Sequence, residues 1–172
     1  MSGALIVTAE LPADLHRWAT RLRTMHFPPE RNFLEAHVTL FHALPPGSEP
    51  EIRSRLAAAA GQTPPVAARL EGVMPLGGGT ALGIASPEML DLRDDLADQF
   101  HGLLSMQDQQ VPRLHVTVQN KVPAREAREL QARLAAEVVP RDFRFAGLVL
   151  YRYEGGPWAP VQRWAFRGKK RG

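Results

Sequence analysis

The sequence contains no cysteine, which excludes disulfide bonds, thiolate metal sites and cysteine nucleophiles. It has no apolar run approaching the roughly 20 residues that a membrane-spanning helix requires. Its first residues, MSGALIV, lack the basic start and the long apolar segment of a secretion signal. Together these absences predict a cytoplasmic protein that does not associate with a membrane.

The charge balance is only mildly positive. Lysine and arginine number 21 against 18 aspartates and glutamates, which gives a formal net charge of +3 over 172 residues. This excess suits a polyanionic ligand such as RNA or a nucleotide, and it fits an ordinary arginine-rich surface equally well. The length predicts a single domain spanning residues 1–172, whose basic segment 167–172 forms a flexible tail.

Two distant stretches share one motif, in which a valine separates a histidine from a threonine. The first copy holds His37 and Thr39, and the second holds His115 and Thr117. Alternate side chains of a strand lie on the same face, so each copy presents an imidazole beside a hydroxyl. Two histidines across a groove can act as a neutral base and a protonated acid, while hydroxyls bind a phosphate oxygen. This combination suits phosphodiester chemistry without a metal.

The order of predicted elements repeats along the chain. After a first strand, a helix, a motif strand, a helix and a hairpin follow one another, and the same four elements then recur. The predicted strands span 5–9, 33–44, 66–76, 80–85, 113–122, 143–153 and 157–166, and the third helix is expected to reach residue 106. The repeat predicts an α+β fold of two lobes related by a pseudo-twofold axis, each contributing one motif to a shared groove.

Regular strand alternation also predicts which neighbours of the motifs face the groove. Phe41 falls on the face of the first motif, whereas His42 has the opposite parity and is interpreted as a histidine satisfied by local backbone. In the second strand Arg113, Gln119 and Lys121 share the face of the motif. These three side chains are therefore candidate contacts for a substrate.

The two motifs in a small bilobal α+β chain resemble the 2H phosphoesterase superfamily, and in particular its bacterial 2′-5′ RNA ligase-like branch. Members of that family hydrolyse cyclic phosphates, typically RNA 2′,3′-cyclic phosphate ends or ADP-ribose 1″,2″-cyclic phosphate, and some join or cleave 2′-5′ linkages. The resemblance implies two antiparallel sheets that form a central cleft, with helices on the outside. It also implies that His115 is the general base, that His37 is the acid, and that Thr39 and Thr117 hold the phosphate. The base and acid labels are exchangeable, because the sequence does not orient the substrate.

The chain departs from the branch pattern beside both motifs. Members often follow the first motif with an arginine and a Phe-Gly pair and the second closely with an arginine, where this chain has FHAL and QNK. Strand parity makes Arg113, Gln119 and Lys121 the candidate replacements. Tyr151 belongs to a hairpin rich in aromatic residues and is a candidate for stacking a base.

The resulting hypothesis is a metal-independent cyclic phosphodiesterase, a hydrolase acting on an RNA terminus or a small cyclic nucleotide and compatible with 2′-5′ RNA ligase activity. We expect a monomer with no cofactor, no metal and no protein partner. One alternative is a non-catalytic RNA or nucleotide binding protein that uses the same groove. Another is a histidine metal site, although the nearest carboxylates, Glu35 and Asp108, make no known ligand spacing. The last is a pair of core histidines bonded to backbone.

Overall fold

Apolar residues that alternate in short runs, or recur at helical spacing, build the elements of this chain. The structure, a computed structural model, describes residues 3–169. These residues form eight strands and four α-helices in the order β1 (Leu5–Glu10), α1 (Ala13–His26), β2 (Val38–Leu44), α2 (Glu49–Gln62), β3 (Val66–Leu76), β4 (Gly79–Ala85), α3 (Pro87–Gln99), β5 (His115–Gln119), α4 (Ala124–Glu137), β6 (Arg141–Phe145), β7 (Gly147–Tyr153) and β8 (Trp158–Ala165). Among them, no helix has the length and apolarity needed to cross a bilayer.

The strands form two antiparallel four-stranded sheets, as the resemblance implied. One sheet has the order β2-β1-β7-β8 and the other has the order β5-β4-β3-β6. The two orders correspond strand for strand, so β2 and β5 occupy matching edges. β2 begins directly after His37, and β5 begins with His115. These two edge strands contact each other across the sheets. The predicted α+β fold of two similar lobes is therefore confirmed.

The lobes do not coincide with the two halves of the sequence. The first sheet combines β1 and β2 with β7 and β8, so the C-terminal hairpin completes the lobe that the N-terminus begins. The stretch 143–153, expected to be one strand, is divided between two sheets: β6 pairs with β3, whereas β7 pairs with β1. Sequence periodicity could not reveal this division, because the run FRFAGLVLYRY is mostly apolar throughout and contains no proline between the two pieces.

The helices pack an apolar stripe on the sheets, and two of the stripes contain an arginine. The buried residues are Leu15, Ala19 and Arg23 on α1, Ile52, Leu56 and Ala60 on α2, Met89, Arg93 and Leu96 on α3, and Ala127, Leu130 and Leu134 on α4. Helix α3 ends at Gln99 instead of near 106, because Phe100 turns into the core and Gly102 takes a φ of +85°.

The end of the described chain is tied to the first half of the fold. The N–H groups of Arg167 and Gly168 donate to the carbonyls of Ala60 and Thr63, at 3.0 Å in both cases. The sequence predicted a flexible tail from residue 167, but these two residues are held by backbone hydrogen bonds. Residues 170–172 of the predicted tail lie outside the described part of the chain.

Candidate functional site

Both motif histidines are held by the same local hydrogen bond. The Nδ1 atom of His37 lies 2.9 Å from the carbonyl oxygen of Glu35, and that of His115 lies 2.6 Å from the carbonyl oxygen of Arg113. A carbonyl oxygen only accepts hydrogen bonds, so Nδ1 is the donor in each ring. The Nε2 atom of each neutral imidazole is therefore an unprotonated nitrogen that can accept a proton.

A β-bulge follows the first motif and changes which residues face the cleft. Thr39 and Phe41 pair with consecutive residues of β1, so Leu40 is an extra residue. Leu40 and Phe41 are both fully buried, which places them together on the core side. The next residue, His42, consequently returns to the face of Thr39. The prediction from regular alternation, with Phe41 in the groove and His42 behind it, is wrong.

A second bulge follows the second motif at the equivalent position. Thr117 and Gln119 pair with consecutive residues of β4, which leaves Val118 as the extra residue. Gln119 is buried, and its side-chain oxygen accepts a hydrogen bond of 2.9 Å from the hydroxyl of Thr80. Gln119 therefore lies in the interior and not with the motif, contrary to the prediction. By register, Asn120 occupies the position that His42 has in the first lobe.

His42 is bonded to a buried carboxylate and not to local backbone as the sequence suggested. Its Nδ1 lies 3.1 Å from Oδ1 of Asp108, a side chain with no solvent exposure. The backbone N–H groups of His42 and Ala43 donate to the same carboxylate at 2.8 and 3.0 Å. Burial by itself raises the pKa of Asp108, but these hydrogen bonds outweigh burial and lower the pKa below its usual value. Asp108 is thus ionised near neutral pH.

Arg23 connects the two motifs from inside the protein. It is only 3% exposed. Its guanidinium donates to the carbonyl of Leu34 at 3.1 Å, to the carbonyl of Thr117 at 2.7 Å and to the side-chain oxygen of Asn32 at 3.1 Å. Burial lowers the pKa of Arg23 to about 10, so the group remains charged at neutral pH. The Arg23 side chain therefore links the segment that precedes the first motif to the strand of the second motif.

Arg93 makes the matching connection from the other lobe. It lies on α3, is 2% exposed, donates to the carbonyl of Leu40 at 3.2 Å and also donates to the backbone carbonyl of Asp108. Each arginine stands over an aromatic ring, Arg23 over Phe27 at 4.3 Å and Arg93 over Phe41 at 4.4 Å. Sequence reasoning missed both residues, although an arginine inside an otherwise apolar helical stripe was a visible signal.

The surroundings of His37 keep its imidazole neutral. Burial is the main cause that lowers its pKa from 6.5 to about 4, against the hydrogen bond to Glu35, which raises it. The positive charges of Arg23, His115 and His42 lower it further. The ring also packs on Trp158, with ring centroids 4.6 Å apart. His37 is therefore within electrostatic reach of His115 and is unprotonated at neutral pH.

Two cavities flank the motifs. The aromatic pocket, of about 240 Å³, is lined by Phe33, Glu35, His37, Tyr151 and Trp158 among others. The polar pocket, of about 340 Å³, is lined by Thr39, His42, Arg93, Asp108, Arg113 and His115 among others. Thr39 of the first motif and His115 of the second thus face one cavity, which supports convergence of the two copies.

Of the remaining candidate residues, one lines the aromatic pocket, one lines the polar pocket and one lines neither. Tyr151 lies in the aromatic pocket, 5.5 Å from Trp158 between ring centroids, and burial raises its pKa. Arg113 is exposed and lines the polar pocket. Lys121 is exposed beyond the end of β5 with a φ of 58°, and the described residues that line the two pockets do not include it. Among the residues that the structure describes, no three acidic or imidazole side chains are arranged to hold a metal ion.

Comparison with known proteins agrees with the architecture. TT0787 of Thermus thermophilus has a TM-score of 0.66 at 18% identity, with 97% of this chain and 100% of that chain covered. E. coli LigT complexed with 3′-AMP has a TM-score of 0.62 at 20% identity, with coverages of 96% and 99%. E. coli LigT complexed with NADP+ has a TM-score of 0.60 at 20% identity, with coverages of 97% and 99%. At these identities the likeness concerns the fold alone.

Family membership follows from the sequence match. No curated protein sequence matches this chain significantly. The family model of the 2′-5′ RNA ligase superfamily matches residues 11–157, a range that covers most of the chain and includes both histidine-threonine motifs. The chain therefore belongs to the 2′-5′ RNA ligase superfamily, the 2H phosphoesterases.

Proposed function

We propose that this protein is a metal-independent cyclic phosphodiesterase that hydrolyses RNA 2′,3′-cyclic phosphate ends or a related small cyclic nucleotide. The observation that carries the proposal is the matched pair of imidazoles, each with Nδ1 bonded to the carbonyl two residues earlier. This bond leaves both Nε2 atoms for proton transfer. Membership of a superfamily of phosphoesterases and RNA ligases supports a phosphodiesterase-type reaction.

The reaction needs one base and one acid on opposite sides of the phosphorus atom. Nε2 of the base accepts a proton from water, the water oxygen bonds to phosphorus, and the bond to one ribose oxygen breaks. The imidazolium of the acid gives its proton to that leaving oxygen. The hydroxyls of Thr39 and Thr117 donate to the non-bridging oxygens, where negative charge increases in the transition state.

We assign the base to His37 and the acid to His115, the reverse of the assignment that the resemblance implied. The lowered pKa of His37, about 4, supports this choice because a base must be unprotonated before water is activated. If a ribose 5′-hydroxyl replaces water as the nucleophile, the same groups form a 2′-5′ linkage instead. Ligation is therefore a second outcome of the same proposed site.

The test measures turnover of nucleoside 2′,3′-cyclic phosphates in the presence of a chelator, with chromatographic separation of the 2′- and 3′-phosphate products. H37N and H115N are each expected to lower turnover by roughly 10²–10⁴-fold, the range typical of a lost acid or base. H101N is the matched control, because His101 is exposed and lies outside both pockets. Turnover that requires a metal, or that survives both substitutions, contradicts the proposal.

Two further measurements distinguish the base from the acid and an enzyme from a binding protein. If His37 is the base, H37N removes the acidic limb of the pH profile of kcat/KM, whereas H115N removes the alkaline limb. The opposite pattern reverses the assignment. Salt-sensitive RNA binding without turnover, unchanged by both substitutions, would instead identify a binding protein.

A further inference from the structure

The polar pocket brings a third imidazole next to the motifs. The bulge at Leu40 places His42 on the face of Thr39, and both residues line this cavity together with His115. Because Nδ1 of His42 is bonded to Asp108, Nε2 is the ring nitrogen left to contact a ligand. The buried Asp108 therefore acts as a positioning residue for His42.

The balance of charge in the polar pocket favours an anion. Arg93 and Asp108 are both buried and carry opposite charges, so they compensate each other. Arg113 then contributes a positive charge at the rim that no carboxylate in the described lining compensates. Asp108 is the only carboxylate among the described residues that line this pocket.

The described lining of the aromatic pocket has no arginine that could bind a second phosphate. Glu35 lies in its lining, and Glu10 lines the adjoining cavity beside His37 and Tyr151. Burial is the first cause that raises the pKa of Tyr151, and the negative charges of Glu35 and Glu10 raise it further. Glu10 is itself bonded to Arg163, and Glu35 lies 3.5 Å from His16, so neither carboxylate is without a partner. The described residues that line the aromatic pocket include no arginine or lysine, whereas Arg113 lines the polar pocket. A second phosphate is therefore favoured on the side of His42 and Arg113.

The polar pocket also adjoins a larger groove. A cavity of about 500 Å³ between β3, β4 and the segment before β5 shares Met74, Pro112 and Arg113 with the polar pocket. Its lining is mostly apolar, with Val73, Ile84 and Leu90. A space large enough for a further nucleoside therefore adjoins the polar pocket beside Arg113.

We propose that His42 and Arg113 bind the phosphodiester that precedes the reacting cyclic phosphate, so that the preferred substrate is an oligonucleotide and not a cyclic mononucleotide. This inference rests on the proposed function of the same cleft. His42 and Arg113 are substrate-binding residues in it, and the chemistry remains with the two motifs.

The binding experiment uses inert product analogues and does not depend on turnover. Calorimetry compares adenosine 3′-phosphate with the dinucleotide ApAp that carries a 3′-phosphate, and with adenosine 3′,5′-bisphosphate. The wild type is expected to bind the dinucleotide at least tenfold more tightly than the mononucleotide, as one additional charged hydrogen bond would give. H42Q and R113A are each expected to remove roughly tenfold of that preference and to leave binding of adenosine 3′-phosphate within about twofold.

The kinetic experiment compares a cyclic mononucleotide with a dinucleotide that ends in a 2′,3′-cyclic phosphate. H42Q and R113A should raise KM for the dinucleotide by roughly tenfold and leave kcat unchanged. R128A, which removes an exposed arginine from α4, is the matched control for charge. Because Arg113 is itself exposed, R113A is decisive even if H42Q disturbs the bond to Asp108.

The outcomes separate this inference from the proposed function. Equal affinity for the mononucleotide and the dinucleotide overturns the subsite. A preference for the bisphosphate alone shows that the pocket takes a terminal phosphate and overturns the internucleotide assignment. A fall in kcat on both substrates in H42Q places His42 in the chemistry instead. Tight dinucleotide binding that depends on His42 and Arg113 but comes without turnover refutes the proposed function and leaves the subsite standing.

Discussion

Replacing Arg23 by glutamine tests whether a buried cation holds the two motifs together. The guanidinium supplies three hydrogen bonds, to the carbonyls of Leu34 and Thr117 and to the side chain of Asn32. A glutamine amide is shorter and has one NH2 group, so it cannot reach all three acceptors. At least one buried carbonyl is then left without a donor.

The cost follows from that unpaired group and from the lost charged donor. An unsatisfied buried acceptor costs roughly 1–3 kcal/mol, and hydrogen bonds to a charged group contribute about 1.5–3 kcal/mol. We therefore expect the free energy of unfolding of R23Q to fall by about 3 kcal/mol. With a urea m-value of about 2 kcal/mol/M, the midpoint moves down by roughly 1.5 M.

The assay is urea unfolding followed by tryptophan fluorescence, with R21Q as the control because Arg21 is exposed on the same helix. An NMR titration of the histidine ring protons adds an independent readout. The charge of Arg23 lowers the pKa of His37, so R23Q should raise that pKa. Equal urea midpoints for R23Q and R21Q would refute the bracing role of Arg23.

Two further predictions concern acid stability and a glycine in the site scaffold. The pKa of His37 is 6.5 unperturbed and about 4 when folded, so the unfolded chain takes up the proton first and stability is lost as pH falls from 6.5 towards 4. Between pH 7 and 4.5 this histidine lowers the free energy of unfolding by roughly 2 kcal/mol. Urea titrations at both pH values should show that H37N lacks this contribution. An equal loss of stability in the wild type and in H37N would contradict the lowered pKa. A Cβ at Gly79 would lie 2.0 Å from the backbone oxygen of Gln119, so G79A should lower the melting temperature by the several degrees that roughly 1–3 kcal/mol of overpacking implies. G77A is its control, since nothing lies within 4 Å of that position, and a G79A variant as stable as G77A would refute the close approach.

Local pattern predicted the type and order of most elements because each one follows from its own residues, although β2 begins at Val38 and not at 33 as expected. The helix that starts after Ser86 is an example, since the Ser86 hydroxyl accepts from the Met89 N–H at 3.2 Å and proline takes the first turn, as the sequence indicated. The hairpin of β3 and β4 also formed where the glycine run suggested a turn. Such features depend on contacts within a few residues.

The faces of the motif strands could not be predicted in the same way. The alternation rule assumes a regular strand, and the extra residues Leu40 and Val118 are defined only by the partner strand. Each bulge reversed the expected side of the residues after the motif. The bulge at Leu40 brought His42 into the cleft, and the bulge at Val118 took Gln119 out of it.

The sequence by itself determined the two histidine-threonine motifs, the repeated order of elements and the absence of cysteine chemistry, because these follow from residue identity and local periodicity. Only the tertiary structure decided that the C-terminal hairpin completes the first lobe, that Arg23 and Arg93 join the lobes through backbone carbonyls, and that Asp108 holds His42. Those arrangements unite segments that lie far apart in the chain. A buried charge needs partners from wherever the fold supplies them, and no local pattern specifies which carbonyl or carboxylate that will be.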